Sequence, residues 1–208
     1  MKKKYIGIGL LIALFLLITI LVITNNTSSF DENIYKCLFN LRNNFFDVFF
    51  KTMTILGEGI TVVIIAIIIF IFLKKEERYI LVSSLIASTL FNQIMKFSIR
   101  RARPDHLRII DEWGYSYTSG HSTISVALYG FLIYLAYKKI NNKILKTILI
   151  ILLSIIIIGI GTSRIYLGVH HTSDVLGGYI SSLLILILLI YYFNNHFRGK
   201  INDKNGSK

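Results

Sequence analysis

Six long, almost uncharged apolar stretches predict an all-α polytopic membrane protein, a bundle of six transmembrane helices. Two further observations agree. Hydrophobic residues make up 54% of the 208 positions, above the about 45–50% usual for a soluble domain. The mean hydropathy is +0.63, and the excess is gathered into runs instead of being spread along the chain.

The stretches fall at 5–24, 57–73, 79–97, 121–137, 145–162 and 172–193, each near the about 20 residues that cross a hydrocarbon core. The first follows Lys2, Lys3 and Lys4, but it is long for a signal peptide and no small-residue cleavage site follows it, so it reads as a retained anchor. Segment 30–56 sets Phe45, Phe46, Phe49 and Phe50 among Asp31, Glu32, Arg42, Asp47 and Lys51. That mixture suits an amphipathic helix in the membrane interface or a loop packed over the bundle. No repeat, low-complexity run or second domain interrupts the chain, which reads as one domain over 1–208. Cys37 is the single cysteine, so no intrachain disulfide is possible, and it reads as a small packing residue.

The net charge of +12 would suggest nucleic acid in a soluble protein. Here the charges flank apolar runs, so the partners they imply are topology signals and anionic lipid heads of a phospholipid bilayer, with no nucleic acid. With the amino terminus inside, fourteen Lys and Arg fall on the cytoplasmic side and nine outside. Both termini are then cytoplasmic, as the positive-inside rule prefers. The exception is a basic group between the third and fourth spans: Lys96, Arg100, Arg101, Arg103 and Arg108.

That group opens a set of three motifs. Lys96 is followed after six residues by Arg103 and Pro104, the only proline. Ser119, Gly120 and His121 begin the fourth span. Five residues separate Ser163 and Arg164 from His170, and three separate His170 from Asp174, across the loop between the last two spans. All three motifs share the outer side only if the span count and orientation are right.

In order and spacing they resemble the type 2 phosphatidic acid phosphatase superfamily, which also includes vanadium haloperoxidases and glucose-6-phosphatase. Its signature is Lys-x6-Arg-Pro, Pro-Ser-Gly-His and Ser-Arg-x5-His-x3-Asp, and the motif-bearing region here is 96–174. The chain departs once: Thr118 stands where the family usually has proline, a change that bears on the rigidity of the entry turn and not on the chemistry.

Physical chemistry asks for these residue types. A phosphate at the edge of a low-dielectric medium needs several fixed cationic donors, which Lys96, Arg103 and Arg164 can supply. The fourth span's amino terminus adds unpaired N–H groups around Ser119, Gly120 and His121, with glycine admitting close approach. Asp174 lies one helical turn from His170 if the last span starts early, and could fix its tautomer.

The resemblance implies that His170 attacks phosphorus to form a phosphohistidine, while His121 protonates the leaving oxygen and then activates water. It implies a bacterial membrane lipid phosphatase acting on undecaprenyl diphosphate or phosphatidylglycerol phosphate at the outer face of the cytoplasmic membrane. No carboxylate cluster of metal-ligand type appears, so no metal and no cofactor is expected. Two other functions fit the same residues: a phosphotransferase passing the group to an acceptor lipid, and a non-catalytic lipid carrier, against which the intact His121, His170 and Asp174 argue.

Outside the motifs the expectations are plainer. His171 reads as a loop or lipid-head contact, and His106 and His196 as solvated. Arg100, Arg101 and Arg108 read as an anion-attracting rim or as interfacial anchors, and Trp113 and Tyr115 as interface aromatics.

Overall fold

The computed structural model describes residues 2–105 and 107–206; His106 lies outside them. The elements run α1 (Lys2–Ile23), α2 (Ser28–Phe39), α3 (Asn44–Leu56), α4 (Gly59–Phe72), α5 (Lys75–Ile99) and α6 (Gly120–Ser125). A π turn (Val126–Gly130), α7 (Phe131–Lys139), α8 (Lys143–Tyr166) and α9 (Thr172–Gly206) complete the chain. Among the described residues there is no strand, so the expected all-α class holds.

Among the described residues, four helices are long and apolar enough to cross a membrane, in α1, α5, α8 and α9. They account for the expected first, third, fifth and sixth stretches, the first ending one residue early at Ile23. The other two differ from expectation. The second is only α4, which at 1.5 Å per residue rises about 21 Å. It follows α3 at a bend of 53°, and the pair together makes at most one further span. The fourth is continuous from Gly120 to Lys139 but passes through the π turn, a feature frequent near functional sites.

Association of helices in lipid needs small residues and polar links, because apolar side chains gain nothing by leaving lipid for protein. Helix α5 shows the pattern: Ile80, Ser84, Ser88 and Asn92, four apart, are its buried stripe. Ser88 meets Ser182 of α9 at 3.1 Å, and Ser84 donates to the Ala127 carbonyl. On α9, Gly178 lets the backbone lie against α6, where a β-carbon would stand 2.9 Å from the Ser119 carbonyl oxygen. The core beneath is apolar, with Ile80, Leu81, Leu128, Phe131, Ile160 and Leu186. The opposite faces of α4 and α8 expose Ile64, Ile67, Ile71, Ile151, Ile155 and Ile158, a surface suited to acyl chains and not to water.

Helix α1 packs against the side of the bundle with one narrow face and leaves the rest of its surface exposed. Phe15 meets Phe91 of α5 at 5.6 Å, and the Thr19 hydroxyl bonds the Tyr117 hydroxyl at 2.8 Å. The phenylalanine-rich segment forms two helices, α2 and α3, broken between them at residues 40–43. Phe50 of α3 packs on Tyr166 at the end of α8, with ring centroids 4.4 Å apart. Cys37 corrects an expectation: it is exposed on α2, because that helix turns Asp31 and Tyr35 inward instead.

Candidate active site

Three chain breaks bring the motif residues to one end of the bundle. Helix α5 stops at Arg100, which takes the left-handed conformation (φ 50) just after Lys96 in the last turn. The chain then passes Arg101, Arg103 and the buried Pro104. Helix α6 starts at Gly120, capped by Ser119, whose Oγ accepts from the Ser122 N–H and hydroxyl. Helix α8 closes with Arg164, whose carbonyl accepts from the N–H groups of Val169 and His170. Gly168 makes that turn at φ +77, where any β-carbon would also lie 3.0 Å from the Leu107 carbonyl oxygen.

The turn delivers His170 to a cavity of about 370 Å³ walled by Asn92, Lys96, Arg103, Glu112, Gly120 and His121 among others. His170 itself lies in the loop before α9, not on the helix with Asp174. Its Nδ1 is 3.3 Å from Ser116 Oγ and 3.5 Å from Asp174 Oδ2, and Ser116 donates to that same carboxylate oxygen. Its Nε2 faces Arg103 Nη1 at 3.2 Å. This geometry assigns the proton to Nδ1 and leaves the Nε2 lone pair toward the cavity. Burial drives the imidazole pKa down to about 3, with the Asp174 carboxylate pulling the other way, so the ring is neutral at ordinary pH.

Asp174 is completely buried and held on every side. Arg101 Nη1 donates to Oδ1 at 2.6 Å, and the His171 N–H donates to Oδ2 at 2.8 Å. Arg101 reaches on with Nη2 to Asp31 Oδ2 at 2.9 Å, and Asp31 accepts from the N–H and the hydroxyl of Ser173. The expectation of a rim or anchoring role for Arg101 is therefore wrong. Its side chain is 13% exposed and braces the acid behind the histidine. Arg100 donates to the Phe97 carbonyl and Arg108 to the Pro104 carbonyl, both locally.

The expected phosphate ligands divide. Lys96, Arg103 and Gly120 line the cavity with His121 and His170. Ser119 is fully buried and serves as the cap of α6; its N–H donates to the Asp174 carbonyl at 3.0 Å, joining the two histidine-bearing motifs. Arg164 is 1% exposed and does not line the cavity. It donates to Thr54 Oγ1 at 2.6 Å and to Glu112 Oε2 at 2.9 Å. Lys96 donates to the Tyr115 carbonyl at 2.6 Å. Arg103 is spread over the carbonyls of Trp113, Gly114 and Val169. Thr118, in the usual proline position, is held instead by Asn92, whose Nδ2 donates to its carbonyl and its Oγ1 at 2.8 Å each.

A second cavity of about 400 Å³ shares Asn92, Gln93, Gly120 and His121 with the first and is otherwise lined mainly by Val62, Val63, Leu85 and Ile124. It continues between α4 and α5 into an apolar groove of about 480 Å³ that shares Val63 and Leu85. A cation-lined pocket thus opens directly onto an apolar one.

The profile of the PAP2 superfamily matches residues 78–198, more than half of the chain. The chain belongs to the PAP2 superfamily. It is 31% identical over 177 residues to phosphatidylglycerophosphatase B of Bacillus subtilis (strain 168), covering 82% of this chain and 87% of that protein. The crystal structure of the transmembrane PAP2-type phosphatidylglycerolphosphate phosphatase from B. subtilis superposes with a TM-score of 0.82 at 28% identity, covering 90% of this chain and 96% of that one. The structure of Aquifex aeolicus LpxE gives 0.64 at 25% identity over 77% and 94%. With this family and this helical fold, the protein is a membrane lipid phosphatase.

Proposed function

We propose that this PAP2 protein hydrolyses a lipid phosphate or diphosphate through a phosphohistidine on His170, at the outer face of a cytoplasmic membrane crossed six times by a single domain. The observation that carries the reading is the shared wall of the two cavities. A headgroup phosphate bound among Lys96, Arg103 and Gly120 leaves its chains beside Val62, Val63 and Leu85 without leaving the apolar side. The likeness to phosphatidylglycerophosphatase B makes phosphatidylglycerol phosphate the first substrate to try, with undecaprenyl diphosphate as the diphosphate counterpart.

His170 Nε2 attacks phosphorus as the P–O bond to the lipid breaks, and His121 gives its proton to the departing oxygen. Water then attacks the phosphohistidine, His121 takes the water's proton, the P–N bond breaks, and inorganic phosphate leaves. Asp174 and Ser116 hold Nδ1–H throughout and stabilise the charge that forms on the ring. Lys96 and Arg103 meet the equatorial oxygens from the cavity wall, and Arg164 can join them only by leaving Glu112. The N–H groups of Gly120 and His121 point from the start of a helix that Ser119 caps and that runs on to Lys139.

The test is phosphate release by the purified protein across a panel of lipid phosphates and diphosphates with chelator present. Activity is expected to persist in chelator. Loss in chelator with return on adding a divalent cation overturns the histidine mechanism. Acid-labile, base-stable phosphate is expected on His121→Ala with a good leaving group and not on His170→Ala. For orientation, in a Cys37-free background, a cysteine in loop 105–117 is expected to react with impermeant thiol reagents on intact cells and one in loop 138–146 to resist them. The reverse pattern turns the site inward.

A further inference from the structure

Segment 112–115 lies across all three of the site's cations, one residue after another. Glu112 Oε2 accepts from Arg164 at 2.9 Å, and its Oε1 lies 3.9 Å from Arg103. The carbonyls of Trp113 and Gly114 accept from Arg103, and that of Tyr115 accepts from Lys96. Oxygens of the protein thus occupy donors that a phosphate would otherwise engage.

Glu112 is the charged member of that set and the one that hides a cation. It lines the cavity with its side chain 30% exposed, whereas Arg164, 1% exposed, is absent from the wall. Arg164 is also incompletely satisfied: its Nε is buried with no hydrogen-bond partner among the described residues. One carboxylate leaves that donor empty; a phosphate, with more terminal oxygens, fills the Nε and Nη2 sites together. The segment has room to withdraw. Trp113 is 89% exposed, and Gly114, at φ +77, has nothing within 4 Å of where a β-carbon would stand.

Resting on the lipid-phosphatase reading above, we infer that Glu112 is a specificity-determining residue, a built-in competitor that yields the Arg164 fork to a dianionic phosphate and denies it to a monoanionic phosphodiester. Replacing a tethered single negative charge by a free single negative charge gains no net attraction, and the tether gives Glu112 an effective concentration on the order of millimolar. A terminal phosphate carries about −1.5 to −2 at neutral pH and wins the exchange. The membrane around the site consists largely of lipids whose phosphate is a diester. A cradle of three bare cations would fill with them, and Glu112 keeps it open for a terminal phosphate.

The experiment compares wild type, Glu112→Gln and Glu112→Asp as purified full chains in detergent. Calorimetric binding of orthophosphate needs no turnover. Inhibition by phosphatidylglycerol in mixed micelles is measured with phosphatidylglycerol phosphate as substrate. Glu112→Gln is expected to bind orthophosphate about tenfold more tightly and to lower KM by more than it changes kcat. It is also expected to become inhibited by phosphatidylglycerol at mole fractions that leave wild type unaffected. Glu112→Asp, which keeps the charge but draws it back from Arg164, should tighten orthophosphate less. If the glutamine variant does not fold, the aspartate variant decides in the same sense.

Weaker or unchanged orthophosphate binding in the folded variants overturns the inference, since Glu112 then only props Arg164 or does nothing to it. Tighter binding without phosphatidylglycerol inhibition also overturns the selectivity. If wild type binds orthophosphate but releases none from any lipid phosphate, the lipid-phosphatase reading fails by itself, and the binding comparison still judges the competition at Arg164.

Discussion

The bundle buries charge at both ends but treats it differently. At the end away from the histidines, Glu77 is fully buried and accepts from Lys139 at 2.6 Å and from the Lys74 N–H at 3.0 Å, while Glu76 accepts from Lys138 at 3.0 Å. Those two acids meet two lysines, and the lysine side chains, about one-third exposed, keep their heads near water. At the histidine end, Lys96, Arg101, Arg103 and Arg164 face Asp31, Glu112 and Asp174, and the surplus cation is quieted by backbone carbonyls. A closed account of charge is structure, whereas an open one is an invitation to an anion.

The most severe way to test that contrast is to remove the proposed nucleophile. His170→Ala is expected to lose about 10³-fold or more in turnover, with the anion site intact by orthophosphate binding. Next comes the brace. Arg101→Met leaves Asp31 and Asp174 without their shared cation. It is expected to lower kcat about 10- to 100-fold, the scale seen when a partner orienting a reactive side chain is lost, while KM changes little because Arg101 does not line the cavity. A parallel rise in KM would mean that Arg101 binds substrate directly.

Those two residues differ sharply in how legible they were. His170 and Asp174 sit within one short motif, and local spacing is what a sequence displays. Arg101 stands two residues from Arg103 inside the first motif, yet its partners are Asp31, in a helix whose place in the bundle no pattern specifies, and Asp174, far down the chain. Ser116, Asn92 and Glu112 were missed for the same reason: each works through a contact between elements that only the packed bundle brings together. The long spans were readable because hydropathy accumulates along them. The second apolar stretch, 57–73, is longer than its helix: Gly57, Glu58 and Leu73 lie outside it and the chain bends before it. For Cys37, residue type alone says nothing about which side of α2 faces out.

A third test uses acidity. His170 is buried neutral with its pKa lowered from the unfolded 6.5 to about 3, so its contribution to stability is complete above pH 6.5 and is lost as pH falls toward 3. Within that window the unfolded chain takes up one more proton at this position, a slope of about 1.4 kcal/mol per pH unit at most. The thermal midpoint of wild type should therefore fall more steeply between pH 6 and 4 than that of His170→Gln. Equal slopes would show that the imidazole is protonated in the fold.

The smallest effect belongs to the closed end. Glu77→Gln is expected to cost about 1 kcal/mol of stability, the partial exposure of Lys138 and Lys139 limiting the loss. Phosphate release should stay within about twofold of wild type. A large drop in activity from Glu77→Gln would erase the distinction between the two ends.

Helix α4 has a consequence for the membrane itself. Beyond its bend from α3, its straight run of about 21 Å by itself falls short of a hydrocarbon core about 30 Å thick, and it stands beside the apolar cavity that His121 also lines. Such hydrophobic mismatch is relieved by thinning of the bilayer or by drawing headgroups down toward the helix end, at a small cost for each ångström. The deficit is local to one wall of the site, so a neighbouring lipid is expected to have its phosphate lowered on that side. Turnover should then follow bilayer thickness, rising in vesicles of shorter-chain lipid and falling in thicker ones, with the lipid matrix acting as a mechanical partner of the enzyme.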